Sequence, residues 1–492
     1  MRRRHGGARH PVVVGCPVDA SRHTRRAASG ERRAEAAMKR RSFIMTTVAT
    51  ALAPGGLLRA RTRETSDAPG TRRVFAHYMV AWPRGGKAAS PDQYAREMRD
   101  AMAAGIDGFA LNCGGWHASE PYYKRRVETI YDAADQFDGA FKLFVSADGN
   151  AQDELADIIR TVRGRRAQLK VDGRPVLSAY ALGGRHGTGA RSLIETARRL
   201  GAYFVPHLSP STGEREIDAN VAAEIVGKIR CADGYFYFGA AGAPSLLARS
   251  TRALAPALRN AGKVFMAPVT PYYRGLPQGT NYRAFETRGF AGMAEEWRAA
   301  IESRATWVQI VTWNDWAEST YVAPTGGARQ ASVYDARFGP ILNHEGYLRA
   351  SRHYIRWFKT GSEPPIVRDE LFFFYRPGPA GQREAAADGP SASTYGAPRM
   401  PHGPLVDRIF VCVFLTGPAL LTIGQNARED RRPLPAGISF VDVPSTSGLP
   451  TFSIVRRERV VLECVGELAV TGPGGGGQYG YYSGWALQGQ SR

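Results

Sequence analysis

Eight short apolar runs, each separated from the next by a stretch of helical periodicity, constrain this chain more than any other feature. The runs are Val74–Val80, Ile106–Leu111, Phe141–Val145, Val176–Tyr180, Tyr203–Leu208, Tyr235–Phe238, Val264–Val269 and Trp307–Trp313. Each is continuous and rich in Val, Ile, Phe or Tyr, the pattern of parallel strands covered on both faces. The first intervening helix opens at Ser90-Pro91-Asp92, with an N-cap and Pro at N1, and closes at Ala104-Gly105. Further helical patterns cover Tyr122–Gln136, Gln152–Arg163, Ser192–Leu200, Asn220–Ile229, Pro244–Asn260, Gly289–Ser303 and His344–Lys359. Strands alternating with helices predict a parallel sheet, and eight such units in roughly 290 residues match a (β/α)8 TIM barrel. A doubly wound open sheet is the alternative. It is disfavoured because His77-Tyr78-Met79-Val80-Ala81-Trp82 follows the first run, where a Gly-rich phosphate loop belongs.

The net charge of +20 suggests nucleic-acid binding until it is located. Residues 1–73 carry 17 Lys and Arg against 5 Asp and Glu, whereas the rest of the chain carries 48 against 40. The excess belongs to the leader, so no nucleic-acid partner is expected. Within that leader, Met38-Lys39-Arg40-Arg41-Ser42-Phe43-Ile44-Met45 precedes a weakly apolar stretch, which resembles a twin-arginine export signal over residues 38–60. Met38 is read as the start, and export to the periplasm or medium is expected. No run reaches the ~18 apolar residues of a membrane span, so a monomer without stable membrane association is expected. The five cysteines form no metal-ligand spacing, so neither metal nor cofactor is expected. Cys412 and Cys464 are open to two readings, a disulfide across a small β-domain or two free thiols.

In a barrel the chemistry sits at the C-terminal ends of the strands. Those ends carry His77 and Tyr78, Asn112, Ser146 and Asp148, Tyr180, His207, Tyr237 and Phe238, Pro271 to Tyr273, and Asn314 to Glu318. Aromatic faces beside carboxylates suit sugars, and glycosidic hydrolysis needs two carboxyl groups. Asp315 and Glu318, in Trp313-Asn314-Asp315-Trp316-Ala317-Glu318-Ser319, are the candidate catalytic pair. The candidate substrate-binding residues are His77, Tyr78, Asn112, Asp148, Tyr180, His207, Tyr237, Tyr272, Trp313, Asn314 and Trp316. The D-x-x-E spacing is equally that of an N-cap Asp with a capping-box Glu, and Asp148 is equally an Asx-turn residue leading into Gly149. Asp107 and Asp233, at strand starts, are read as structural.

Several segments resemble glycoside hydrolase family 71, the α-1,3-glucanases or mutanases. They are Val74–Val80, Gly105–Asn112, Lys142–Asp148, Val171–Pro175, Tyr203–Pro206, Met266–Pro271 and, most specifically, Ile310–Ser319, which is similar to the family's Trp-Asn-Asp-(Tyr/Phe)-Gly-Glu-Ser. The resemblance runs from about residue 74 to 360. It implies endo-type hydrolysis of α-1,3-glucan with inversion, no metal, and a catalytic pair at Asp315 and Glu318. Trp316-Ala317 departs from the family's aromatic-Gly, and Ser146-Ala147-Asp148 from its Ser-Phe-Asp. A related barrel acting on α-mannosides and a non-catalytic polysaccharide-binding protein are the alternatives; Asp at 315 instead of Glu disfavours the first.

The domain reading is a leader at 1–73, a catalytic barrel at 74–375, a Pro/Gly/Ser-rich linker or loop at 376–404 and a β-domain at 405–492. In the last, Arg408–Leu415, Ala419–Ile423, Ile438–Val443, Thr451–Arg456, Val460–Cys464 and Glu467–Val470 alternate apolar and polar residues, which predicts a small antiparallel sandwich. The aromatic segment Gln478–Trp485 is read as a sugar-binding strip or as packing against the barrel.

Overall fold

The structure, a computed structural model, describes residues 67–68, 70–119, 122–182, 190–208, 215–275, 283–330, 340–382, 404–426, 428–472 and 479–489. The leader, with its arginine pair, and most of the Pro/Gly-rich stretch lie outside them. Eight parallel strands are present: β1 (Arg73–Met79), β2 (Gly108–Cys113), β3 (Lys142–Ala147), β4 (Arg174–Leu182), β5 (Tyr203–Leu208), β6 (Gly234–Phe236), β7 (Val264–Val269) and β8 (Trp307–Ile310). Eight helices accompany them: α1 (Pro91–Ala104), α2 (Tyr123–Ala134), α3 (Leu155–Val162), α4 (Ala190–Arg199), α5 (Ala219–Lys228), α6 (Pro244–Asn260), α7 (Phe290–Glu302) and α8 (Glu345–Thr360). α1 starts as its sequence dictates: the Ser90 hydroxyl accepts from Gln93 N, and Gln93 returns a bond to the Ser90 backbone.

The strands pair in the order β5-β4-β3-β2-β1-β8-β7-β6. This is a curled, partly open sheet, and the ladder expected between β5 and β6 to close a barrel is missing among the described residues. The cause is local. β6 is three residues long, and Asp233 occupies the place of a further ladder residue. Its N–H donates to the Phe204 carbonyl at 3.0 Å, and its carboxylate accepts from Phe204 N at 2.9 Å. Asp107 plays a similar part at the start of β2, accepting from Val74 N at 2.8 Å and pairing with Lys359 at 2.7 Å.

Alternation along the strands creates two cores. Outward residues such as Val74, Ala76, Leu111, Val145 and Phe265 pack with Met98, Ile130, Leu254 and other helix residues. Inward residues Phe75, Ala110, Phe144, Val176, Val205, Phe236 and Met266 form a separate cluster drawn from the strands. Tight strand packing requires glycine at one place: a Cβ on Gly108 would lie 1.9 Å from the Lys142 carbonyl oxygen.

Beyond α8 the chain forms two four-stranded antiparallel sheets. One has the order β13-β10-β9-β16, from β9 (Glu370–Tyr375), β10 (Arg408–Leu415), β13 (Gly437–Pro444) and β16 (Tyr482–Leu487). The other has the order β12-β11-β14-β15, from β11 (Ala419–Gln425), β12 (Arg428–Leu434), β14 (Pro450–Arg456) and β15 (Arg459–Val465). Leu371, Phe373 and Val411 of the first share a core with Leu421, Ile423 and Phe452 of the second. Three of these strands are absent from the sequence expectation: β9 precedes the Pro/Gly-rich stretch, β12 is charged, and β16 falls in the aromatic segment, which is read without a strand. Of the expected strand Glu467–Val470, only Val470 is bridged. Cys412 and Cys464 lie on different sheets and are not joined to each other. Tyr479, Tyr481 and Tyr482 are wholly buried, so this part of the aromatic segment packs against its neighbours.

Gly108→Ala is expected to cost about 3 kcal/mol through overpacking against a strand backbone. The same change at Gly164, where a Cβ meets nothing within 4 Å, is expected to be nearly neutral; chemical unfolding of both variants checks the contrast.

Candidate active site

The chain leaves β8 at Ile310 and turns through residues 311–323, which carry both candidate carboxylates. Backbone and side-chain bonds hold this turn. Trp313 N donates to the His77 carbonyl at 2.7 Å, and Thr312 N to the Thr320 carbonyl at 2.8 Å. The Asn314 amide is fully engaged in holding the turn as well. Its oxygen accepts from Met79 N at 2.7 Å, and its nitrogen donates to the carbonyls of Met79 and Trp82 at 3.1 and 2.8 Å. Asn314 therefore stitches the turn after β8 to the end of β1, and its expected sugar contact is corrected to this one.

Half of a capping box exists at the carboxylates. Glu318 N donates to Asp315 Oδ1 at 3.0 Å. The reciprocal half is absent, because Asp315 N donates to Thr312 Oγ1 at 2.8 Å and Glu318 Oε1 accepts from the Tyr273 hydroxyl at 3.4 Å. The Glu318 carboxylate is thus directed at an aromatic side chain and not at its own backbone. Asp315 is only 4 % exposed, and burial followed by the neighbouring Glu318 raises its pKa well above the carboxylate range. Burial also raises Glu318, against the opposing pull of the Tyr273 hydroxyl and the Arg283 guanidinium. Two carboxyls in one water-poor site titrate as a pair, which keeps a proton to higher pH than either would in solvent.

Strand phase decides which other candidates join them. On β1, Phe75 points inward, so His77 does too and Tyr78 does not. The same phase turns Asn112, Ser146, Ser178, Tyr180, His207 and Gln309 inward, and contacts with Tyr180 and Asn112 place Phe238 and Asp148, just past their strand ends, beside them. Tyr180 stacks on His207 with ring centroids 5.4 Å apart, and Phe238 meets Tyr180 and His77 edge-on at 4.9 and 5.1 Å. Burial, then Glu318, Asp148 and Asp315, raise the Tyr180 hydroxyl pKa, which puts this ring among three carboxylates. Asp148 caps the next turn through Gly149 N at 2.7 Å and also interacts with Asn112, so the turn role and the cleft position coexist. Burial pushes His77 down to about 3 and His207 to about 4, so both are neutral imidazoles at neutral pH.

Five candidates besides Asn314 lie elsewhere. Tyr78 and Trp313 point into the sheet–helix layer, where the buried Glu97 of α1 accepts from the Tyr78 hydroxyl at 3.1 Å and from Trp313 Nε1 at 2.7 Å. Tyr237 is outward by phase and wholly buried in the same layer. Trp316 is buried with its Nε1 on the Trp82 carbonyl at 2.9 Å. Tyr272 donates to the Tyr479 carbonyl at 2.6 Å, toward the C-terminal sheets. Its neighbour Tyr273 is the one that faces Glu318. Sequence reasoning selects the wrong tyrosine of this pair because β7 ends at Val269 and its alternation gives no phase beyond. Arg283 has no sequence signal at all; it arrives through an antiparallel bridge between Arg274 and Ala284.

Among the described residues, several inward polar atoms make no hydrogen bond of normal geometry: His77 Nδ1, Ser146 Oγ, Ser178 Oγ and both polar ends of Gln309, although Gln309 lies near enough to favour a proton on His77. Ser146 and Ser178 are adjacent in the β3–β4 register. Buried polar atoms normally find partners, so this surface is suited to a ligand rich in hydroxyl groups.

A helix-flanked parallel sheet with a buried and a half-buried carboxyl side by side in an aromatic, polar-lined cleft is the equipment of a glycoside hydrolase. Residues 70–481 match the model of glycosyl hydrolase family 71, and the chain belongs to that family. It is 27% identical over 455 residues to a mutanase from Penicillium rubens, covering 87% of this chain and 92% of that one. It is 28% identical over 414 residues to a glucan endo-1,3-alpha-glucosidase from Schizosaccharomyces pombe, covering 78% and 88%. Among solved structures, the endo-alpha-mannosidase of family GH99 from Bacteroides thetaiotaomicron superposes with a TM-score of 0.44 at 14% identity, over 60% of this chain and 99% of that one.

The raised Asp315 pKa carries a stability consequence. A carboxyl whose folded pKa exceeds its unfolded value of ~3.9 stabilises at low pH, and that contribution is lost as pH rises through the folded value. Asp315→Asn removes the titration. Its melting temperature relative to the parent is expected to be nearly unchanged at about pH 4 and to climb toward about pH 8. A constant difference across a pH series of thermal melts would contradict this.

Proposed function

We propose that this chain hydrolyses α-1,3-glucosidic bonds within an α-glucan, with Asp315 and Glu318 as the general acid and general base. The observation that carries the reading is the closeness of these two carboxyls, Asp315 buried and Glu318 half-buried, in a chain of this family, where one member keeps a proton while the other ionises. One protonates the departing glycosidic oxygen, and the other takes a proton from the water that attacks the anomeric carbon, giving inversion. Tyr180, Phe238 and His207 present ring faces and edges for the apolar faces of glucose. Asn112, Asp148, His77, Ser146 and Ser178 offer partners to its hydroxyls. Endo action accords with the relatives' names. We read the curled sheet as a (β/α)8 barrel bridged at β5–β6 by Asp233, and the two C-terminal sheets as a sandwich on their shared core. We also propose that the enzyme is a monomer exported through Arg40-Arg41; Arg40→Lys with Arg41→Lys is expected to abolish its appearance outside the cytoplasm in cell fractionation.

The purified enzyme is expected to release soluble oligosaccharides from insoluble α-1,3-glucan and none from α-mannan. Asp315→Asn and Glu318→Gln are each expected to lower kcat by about 10²–10⁴-fold while polymer pull-down persists. NMR of the first-formed product is expected to show the β-anomer. Full activity in either variant overturns the assignment of the pair.

A further inference from the structure

One segment touches both the carboxylate pair and the C-terminal sheets. Residues 270–275 and 283–287 run antiparallel, joined by Gly275 N to the Arg283 carbonyl at 2.9 Å and by the Arg274–Ala284 bridge. One side of this hairpin addresses Glu318. The Tyr273 hydroxyl donates to its carboxylate at 3.4 Å, Arg274 N donates to its carbonyl at 2.9 Å, and the Arg283 guanidinium sits 5.7 Å from the Tyr273 ring. The other side is gripped from behind. Tyr272 donates to the Tyr479 carbonyl at 2.6 Å. Glu286 accepts from Arg376 Nη1 at 2.9 Å, from Val406 N at 3.2 Å and from the Tyr481 hydroxyl. Arg376 is 3 % exposed, donates also to the Tyr479 and Val406 carbonyls at 3.1 and 3.0 Å, and stacks 4.1 Å from the Tyr481 ring.

We propose that the C-terminal sheets are a working part of the active site, and that Glu286, Arg376 and Tyr272 are positioning residues that hold Tyr273 and Arg283 against Glu318. A buried ion pair contributes little net stability in general, but removing one partner leaves the other charge stranded. This pair lies where such a disturbance passes straight to residues facing the carboxylate. The groups that face Glu318 are Asp315 in its own turn, Tyr180 from β4, and Tyr273 and Arg283 from the hairpin. Of these only the two hairpin groups favour its ionised form. Loosening the hairpin therefore moves the apparent pKa values of the carboxylate pair upward, together with the limbs of the pH–rate profile. The proposal rests on the reading of Glu318 as one of the catalytic pair.

The experiment measures kcat and KM across pH on a soluble α-1,3-gluco-oligosaccharide for the full-length enzyme and for Glu286→Gln, Arg376→Lys, Tyr272→Phe, Tyr273→Phe and Glu318→Gln. Glu286→Gln is expected to lower kcat by about 10–100-fold, to leave KM nearly unchanged, and to shift the profile to higher pH in the same direction as Tyr273→Phe. Tyr272→Phe, which removes one hydrogen bond and leaves the ion pair intact, is expected to shift it the same way by less. It keeps the test open should Glu286→Gln fold poorly. Arg376→Lys, which retains the charge, is expected to fall between Glu286→Gln and the parent. A parent-like pH profile in both Glu286→Gln and Tyr272→Phe, with any activity loss matching the unfolded fraction, overturns the positioning role. Retained activity in Glu318→Gln overturns instead the underlying reading of the pair.

Discussion

The ladder between the first and last of the eight parallel strands is the constraint on which the site depends. β1 and β8 pair from Arg73↔Trp307 to Ala76↔Ile310, and the Asn314 amide extends that junction beyond the ladder to a partner 235 residues earlier. Asn314 engages three backbone groups and is wholly buried, which fixes the turn that follows. Asp315 and Glu318 inherit their positions from it. Glu97 performs a comparable service from the helix layer, holding Trp313 against Tyr78.

Buried acids in this molecule divide by what surrounds them. Asp369 accepts two bonds from the Arg456 guanidinium and two from Thr416, and these hold its pKa below the usual range despite burial. Glu296 accepts from Thr270 N, and burial raises its pKa well above the usual range. Asp315 differs from both, because the neighbouring Glu318 adds to the effect of burial. Asp369 and Glu296 are satisfied by donors that stay in place, whereas Asp315 is perturbed by a second carboxylate.

The architecture was legible because buried parallel strands leave continuous apolar runs, and Tyr203–Leu208, Val264–Val269 and the helix Pro244–Asn260 fall where periodicity put them. The carboxylate turn was legible from its position after the last run. Facing was harder. Within a run buried on both sides, His77 and Tyr78 are equally apolar in context, and only three-dimensional packing shows that the first points inward and the second to Glu97. Past the end of a strand even that parity fails, which is why Tyr272 stood in for Tyr273. Contacts made by loop pairing, such as Arg283 near Glu318, leave no trace in local sequence. Nor did the charged strand β12, whose Arg428–Leu434 sequence reads as a solvated loop and is held in its sheet by pairing with β11.

The Tyr272–Tyr479 hydrogen bond spans 207 residues. Its acceptor and the Tyr481 ring are synthesised well after the carboxylate turn that follows β8. During translation the eight strands can all be outside the ribosome while the hairpin beside Glu318 still has nothing to lean on. A product interrupted before Tyr479 would keep every acid and aromatic of the cleft and yet lack the contacts that grip the 270–275 and 283–287 segments from behind.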